Sequence, residues 1–399
     1  MAARSPTVDV AILGAGIAGA ACAYHLARRN AGSIVLYDPR TPAAGATGRA
    51  AGIVTDQLWD RWDVEVAQSS DRQYEALCRR HDPSAYARNG FVRWSANPVA
   101  AEAIDAARTR LRSWGVSVER VDRAGLERRF PWGRFDDVVG ALAGDRDAVV
   151  TPSTIAALYL KEAEPLGVEA WFGAPAEVRR DGSGVTLRGA GRQIHARTTI
   201  VAAGAWSKQL LASLGSPRPL VPYRVQAATL RPPPGTPELF ASGHDIDTDV
   251  YFRPEGAGRI LAGDGTERVE ADPDRFVPIG DATFLENLAE SFRTRLPGWE
   301  SSEMIRAWAG VCTSTPDRRP LVGALDPAIG LYTITGFNGF GVMRAGGAAE
   351  RLVDRILQGP GGAAEEHLRS VDPRRFPPGT DARIPRPGFT LEGGDDPRF

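Results

Sequence analysis

Val8 to Leu13 is nearly all apolar and short, the pattern of a buried strand. Gly14-Ala15-Gly16-Ile17-Ala18-Gly19 breaks it, and Ala20 to Arg29 then reads as a helix, rich in alanine with apolar Tyr24 and Leu26. Ser33 to Tyr37 is a second strand, ending at Asp38. A run of small residues, Thr41 to Ile53, follows. Further on, Gly90 to Ser95 and Val138 to Leu142 read as strands, with helical patterns at Pro98–Ser113 and Arg123–Phe130 between them. Val149 to Ile155 leads into a helix that ends near Ala163, and Ala196 to Trp206 contains another buried strand. Strands are expected at Val221–Leu230, Asp249–Arg253 and Arg259–Ala262, then a helix at Asp281–Leu296. A last strand, Leu331–Thr335, precedes a helix that runs to about Leu357 and carries Ala345, Gly346, Gly347 and Ala348 near its start. The order of elements is that of an α/β protein, without an internal repeat.

The opening unit carries chemistry. In a strand–glycine–helix turn the first glycine allows the tight bend, the second lets backbone approach a pyrophosphate, and the third lets helix and strand pack closely. Phosphate then meets the free N–H groups and positive dipole end of the helix. Asp38 stands about 20 residues on, where an acid binds a ribose hydroxyl. This is a dinucleotide site, and by itself it does not separate FAD from NAD.

Composition narrows the picture by exclusion. The chain of 399 residues has room for two lobes. Its 48 Lys+Arg against 49 Asp+Glu give a net charge of −1, which exerts no pull toward nucleic acid or acidic membranes. Cys22, Cys78 and Cys312 are far apart and form no CxxC, which argues against a disulfide framework or zinc site and fits a reducing compartment. No run approaches a membrane span, and Met1 to Thr7 lacks the pattern of a secretory signal. A cytoplasmic enzyme is expected. His25, His81, His195, His244 and His367 form no spaced metal pair or triad, so no metal is expected; His244 reads as a solvated residue in a loop before Tyr251.

Four separated motifs decide for flavin. After the fingerprint come the small-residue segment TPAAGATGRAAGI, the strand end Ala203-Gly204-Ala205-Trp206, and, beyond Trp308-Ala309-Gly310 and Thr315-Pro316-Asp317, the loop Gly336-Phe337-Asn338-Gly339-Phe340-Gly341-Val342. Together they make the chain, over residues 8 to 357, resemble the glycine/sarcosine oxidase branch of the D-amino-acid-oxidase-like flavoproteins. The resemblance implies a doubly wound, Rossmann-like FAD lobe (1–87, 148–219 and 308–371) and an α+β substrate lobe (88–147 and 220–307) whose mainly antiparallel sheet roofs the flavin. A Pro/Gly-rich tail, 372–399, follows. FAD is expected against Gly14 to Gly19, Asp38 and Arg40, then Thr47, Gly48, Arg49, Ala51, Gly52 and Ile53 of the small-residue segment. Val178 would meet the adenine, and Ala203, Gly204 and Trp206 form the second cofactor-side motif. Gly310, Gly336, Asn338, Gly339, Phe340, Gly341, Val342 and Met343 would lie along the isoalloxazine, with the helix N-terminus toward its N1/O2 edge.

The same resemblance implies hydride transfer from an amine-bearing carbon to flavin N5, leaving an imine that water hydrolyses. The substrate is a small amine or amino-acid derivative of secondary metabolism, and the acceptor is O2 or another oxidant. Tyr251 and Arg253, two apart on a strand, share one face and are expected to bind substrate, with Arg49. Tyr223 and Arg224 are expected on the strand next to that of Tyr251, facing opposite ways, so at most one points inward; Trp59 and Trp62 are candidates for a pocket wall. Three departures qualify the likeness. Where relatives hold a carboxylate with Arg or Lys, this chain has Cys312, Gly339 and Met343, with Arg344 displaced by one residue. Leu261 stands where some sarcosine oxidases place a lysine that promotes reaction with oxygen, and Lys161 and Lys208 lie elsewhere. Gly310 stands where relatives attach FAD through cysteine, so non-covalent FAD is expected. Oxidation of a hydroxyl or C–C substrate, or a flavoprotein subunit that needs a partner, are the alternatives.

Overall fold

The structure, a computed structural model, describes residues 6–58, 60–189, 191–377 and 379–384. Strand β1 (Thr7–Leu13) ends in four buried residues and runs parallel to both β2 (Ile34–Asp38) and the strand Arg192–Val201. Helix α1 (Ile17–Arg28) makes the crossover between β1 and β2. It begins three residues earlier than the alanine run implies, because Ile17 and Ala18 already belong to its first turn. The sheet reads, in space, Ala176–Asp181, Gly184–Gly189, Arg192–Val201, β1, β2, Val168–Phe172, and Leu331–Thr335 also pairs with Arg192–Val201.

One face of this sheet is covered by α1, Pro152–Ala163 and the C-terminal helix Gly341–Gln358, which also packs on the long helix α2 (Arg61–His81). The Ala-Gly-Gly-Ala stretch is explained by that packing. A Cβ on Gly347 would stand 2.3 Å from the carbonyl oxygen of Val66, and one on Gly346 would stand 2.7 Å from Tyr159 Oη. Only glycine lets the two helices come this close.

The second sheet is ordered Glu303–Ser314, Val221–Arg231, Arg259–Glu270, Val250–Gly256, Ser242–Asp245, Phe91–Ser95, Gly140–Gly144, Glu119–Arg120. Every pairing is antiparallel except Ser242–Asp245 with Phe91–Ser95. The chain is thus α/β with a Rossmann-like parallel core and a mainly antiparallel second sheet. Some boundaries move. The strand expected at Val138–Leu142 lies at Gly140–Gly144, and Arg259–Ala262 extends to Glu270. Tyr223 and Tyr251 are not on neighbouring strands, since Arg259–Glu270 lies between theirs.

Alternation along the second sheet assigns its faces. Trp94 and Phe252 point to one side, where they pack with Phe130, Phe135 and Phe292 beneath the helix Ala282–Arg295. Gly243 leaves room for them: a Cβ there would stand 2.5 Å from Phe252. Asp245 points the same way and bonds Arg295 at 2.8 Å. Their sequence neighbours Arg93, His244 and Tyr251 therefore face the other side, toward the first sheet. The tail begins ordered: Arg375 forks Asp317 at 2.7 and 2.9 Å. Residues 385–399 of the tail lie outside the described residues, as does Trp59.

Candidate active site

Between the two sheets lies a cavity of about 850 Å³. At one end is the glycine turn. Gly14 has φ +114°, and a Cβ on it would stand 2.5 Å from the Ala202 carbonyl oxygen, so both conformation and space demand glycine. A Cβ on Gly19 would fall 1.8 Å from the Gly14 oxygen. The Asp38 carboxylate accepts the Ala15 N–H and the Arg40 N–H, each at 2.9 Å, and so fixes the turn and the loop that follows. Thr47 Oγ1 accepts from the Ile17 N–H at 3.0 Å, pinning the small-residue segment to the helix start. Gly16, the N-cap of α1, supplies no side chain, and Gly16, Ile17 and Ala18 face the cavity. A helix N-terminus whose N-cap residue offers no side chain, at a cavity with a close-approach glycine, is the cradle a pyrophosphate needs, although the Ile17 N–H is already taken by Thr47. The residues present fit FAD on this ground.

Most of the expected cofactor residues line this cavity, from Asp38 and Arg40 through Thr47, Arg49, Ala51, Gly52 and Ile53 to Val178, Ala203, Gly204 and Trp206. Arg40 stacks 3.8 Å over the Trp206 ring. Ala15, Gly19 and Gly48 do not line it. Ala15 and Gly19 belong to the packing of the turn itself, and a Cβ on Gly48 would stand 2.6 Å from the Ala43 carbonyl oxygen. These three shape the cradle from behind.

Gly310, Gly336 and the run Asn338 to Met343 all line the cavity. Gly336, Asn338 and Gly339 have φ of +73°, +54° and +87°, so the loop reverses sharply. The Asn338 amide holds this bend: it donates to the Gly336 carbonyl at 2.9 Å and accepts from Ser314 Oγ at 2.7 Å. Arg344 is fully buried and does not line the cavity. It donates to the Phe337 carbonyl at 2.6 Å and pairs with Asp63, locking the loop from below. Burial pushes the Asp63 carboxyl up to about 6, against the downward pull of Arg344.

The second sheet closes the cavity with one continuous row. Register pairs Arg93 with His244, His244 with Tyr251, Tyr251 with Gly263, Gly263 with Ala227, and Ala227 with Trp308. Directly paired residues project to the same face. The Tyr251 ring lies over Gly263, where a Cβ would stand 2.3 Å from its hydroxyl. Burial raises the Tyr251 hydroxyl well above its ordinary range, and nearby Asp264 adds to this. Arg93 is pushed down to about 9 by burial, opposed by Asp147 and Asp249.

The other expected substrate residues divide. Arg49 lines the cavity and donates to the Ala44 and Gly45 carbonyls, the second at 3.2 Å. Gly310 leaves room for its stem, which a Cβ would meet at 3.3 Å. Arg253 does not reach the cavity: it is spent on the Ala51 carbonyl and, at 2.8 Å, its neighbour Pro254. It braces the small-residue segment against the sheet. Tyr223 points inward while Arg224 turns away to Asp281 at 2.7 Å. Trp62 is half-buried against the helical core. Cys312, Gly339 and Met343 line the cavity, so no cation stands at those three places.

The expectation of a solvated loop His244 is overturned. His244 sits in the strand Ser242–Asp245, its side chain 4% exposed, with Nε2 at 2.9 Å from Asp249. Arg93, Asp249 and Asp264 join it in the lining and had no sequence signal of their own. Among the described residues, no group of His, Cys, Asp and Glu could hold a metal ion. No helix there is long and apolar enough to cross a membrane.

Comparison with known proteins agrees with this geometry. Dimethylglycine dehydrogenase of Mus musculus is 23% identical over 410 residues, covering 92% of this chain and 44% of that one. The chain thus spans under half the length of that relative. Glycine oxidase of Bacillus subtilis (strain 168) is 26% identical over 330 residues, covering 79% of this chain and 84% of its own. The L-proline dehydrogenase of P. horikoshii shares the fold, with a TM-score of 0.84 at 19% identity over 93% of this chain and 98% of that one. The pattern of the FAD dependent oxidoreductase family DAO matches residues 9–355, and the chain belongs to that family.

Proposed function

We propose that this protein oxidises a carbon bearing an amine, in an amino-acid derivative or a secondary amine, and gives an imine that water hydrolyses. The observation that carries the reading is the single cavity that joins a dinucleotide cradle at Gly14 to the sheet row at Tyr251. FAD, when bound, supplies the hydride acceptor. The chain's own residues bind, orient and exclude water. Asp38 and the start of α1 would hold ribose and pyrophosphate. The loop Gly336–Phe340 and the helix behind it would present N–H groups to the ring edge that gains negative charge on reduction. Trp308, Ala227 and Tyr251 would wall the substrate end, with the Tyr251 hydroxyl as a donor.

The cofactor lobe would comprise 1–87, 148–219 and 308–371 and the substrate lobe 88–147 and 220–307, with the strand Glu303–Ser314 of the second sheet crossing the boundary at 308. Dimethylglycine dehydrogenase and glycine oxidase, by their names, support an amine substrate. Cys312, Gly339 and Met343 in the lining speak against a simple α-amino acid held by those loops. Gly310 offers no thiol, and Cys22 and Cys78 are buried away from the cavity, which supports non-covalent FAD. Neither Lys161 nor Lys208 lines the cavity, which supports an acceptor other than O2. Cys22 and Cys78, which form no disulfide, support a reducing compartment.

Steady-state assays on matched pairs, each an amine and its hydroxyl analogue, test the reading. Turnover confined to the amines is expected. Turnover of the hydroxyl member alone would overturn the amine assignment.

A further inference from the structure

At its substrate end the cavity has little to offer an anion. Among the described residues, three arginines and no lysine line the cavity: Arg40, Arg49 and Arg93. Arg40 lies at the dinucleotide end, stacked on Trp206 at 3.8 Å. Arg49 is spent on the Ala44 and Gly45 carbonyls. Arg93 is 1% exposed and donates to the Gln57 carbonyl at 2.8 Å. Burial works against its charge, and Asp147 and Asp249 support it. Two lining residues at this end are acidic, Asp249 and Asp264, and both lie close enough to Tyr251 to add to what burial does to its hydroxyl. A carboxylate brought here would leave water without a charge-assisted partner and would meet negative neighbours.

What this end offers instead is a slot between rings. Trp308, Ala227, Gly263 and Tyr251 stand side by side on four adjacent strands and project to the cavity face. Strands lie about 4.8 Å apart, so the two rings spring from points roughly 14 Å apart. Between them the floor is only a methyl and a hydrogen. The Tyr251 ring leans over Gly263, where a Cβ would stand 2.3 Å from its hydroxyl, and the space over Ala227 is left. Trp308 has its Nε1 tied to the Arg49 carbonyl at 3.0 Å, so its ring meets the cavity with carbon. Tyr223 closes the slot toward the flavin loop, its hydroxyl 3.5 Å from the Cβ position of Gly339.

We propose that the substrate is an amine without a carboxylate, whose flat apolar group lies in the slot over Ala227 between Trp308 and Tyr251. The inference rests on the amine reading and narrows it to one substrate class. The walls recognise by burying apolar surface. Each methylene's worth of surface placed in the slot is expected to raise kcat/KM about fourfold, until the slot is full.

Two matched pairs of ligands test this on the FAD-loaded protein. N-methylbenzylamine and N-methylphenylglycine differ only by a carboxylate on the reacting carbon. The first is expected to have the greater kcat/KM, by about 100-fold, because the second must bury its charge unpaired. The other pair needs no turnover. 2-Phenylpropan-2-amine and 2-amino-2-phenylpropanoate lack hydrogen on the carbon beside nitrogen, and differ by a methyl against a carboxylate. Titration followed by the shift in flavin absorbance is expected to give the tighter Kd to the amine. Ala227→Leu fills the slot. It is expected to lower kcat/KM for N-methylbenzylamine by a larger factor than for dimethylamine, with flavin content measured alongside. The two pairs on the wild type keep the test alive if Ala227→Leu folds poorly. Equal or better use of the carboxylate member in either pair, or equal losses for both amines in a flavin-loaded Ala227→Leu, overturns the inference and leaves the amine reading intact. A wild type that no amine reduces, with or without a carboxylate, overturns both.

Discussion

Replacing Gly263 by alanine puts a methyl under the ring of Tyr251 and touches nothing of the dinucleotide cradle. The new Cβ would stand 2.3 Å from the Tyr251 hydroxyl oxygen and 2.5 Å from Cζ. Comfortable heavy-atom contact is about 3.5–4.0 Å, so the ring tip must move by roughly 1–1.5 Å. The ring has the cavity to swing into, so the cost to folding stays at the low end of overpacking, about 1 kcal/mol. The cost to turnover is larger, because a misplacement of about 1 Å in a positioning group lowers rate by roughly 100-fold. The assay is kcat/KM on a reactive amine, with flavin content and melting temperature measured alongside. Full flavin content, a small shift in melting and a large loss in kcat/KM are expected. An unchanged kcat/KM would refute the claim that Tyr251 lies flat on Gly263 and faces the substrate.

Two further substitutions probe the parts beneath the site. Gly14→Ala meets both a positive φ of +114° and the Ala202 carbonyl oxygen at 2.5 Å, so the purified protein is expected to lose its flavin absorbance; full flavin content would contradict the cradle. Arg344→Met removes the partner that pulls the Asp63 carboxyl down. Asp63 already stands above its ordinary value, at about 6, so its contribution to stability is full below pH 3.8 and is lost as pH rises through about 6. Without Arg344 that loss deepens. Denaturant unfolding is expected to show a penalty for Arg344→Met that is greater at pH 8 than at pH 5, and equal penalties would refute the pairing.

What the sequence makes visible and what it hides follows from distance along the chain. The glycine turn, β1, α1 and Asp38 are local, and each residue's role is set by neighbours within one strand–helix–strand unit. The sheet row is not local. Arg93, the hairpin of His244 and Tyr251, and Trp308 come from three stretches far apart in sequence, and only register brings them into line. The strand Ser242–Asp245 is four residues long and reads Ser-Gly-His-Asp, a composition that looks like a turn. It is a strand because Gly243 admits Trp94 and Phe252 on its far face. Arg253 shows the opposite failure. It shares a face with Tyr251, as alternation requires, but its length carries the guanidinium to the Ala51 carbonyl and not to the cavity. The small residues near the start of the C-terminal helix also have a second cause, since Gly346 and Gly347 answer to the helix packing and only the preceding loop answers to the cavity.

Anaerobic titration of the FAD-loaded protein with amines, N-methyl amino acids, cyclic imino acids and hydroxy acids tests the central claim most directly, with air admitted at the end. The expected result is bleaching of the flavin by an amine and slow reoxidation in air. Bleaching by a hydroxy acid and by none of the amines would contradict the account and leave only the family assignment in place.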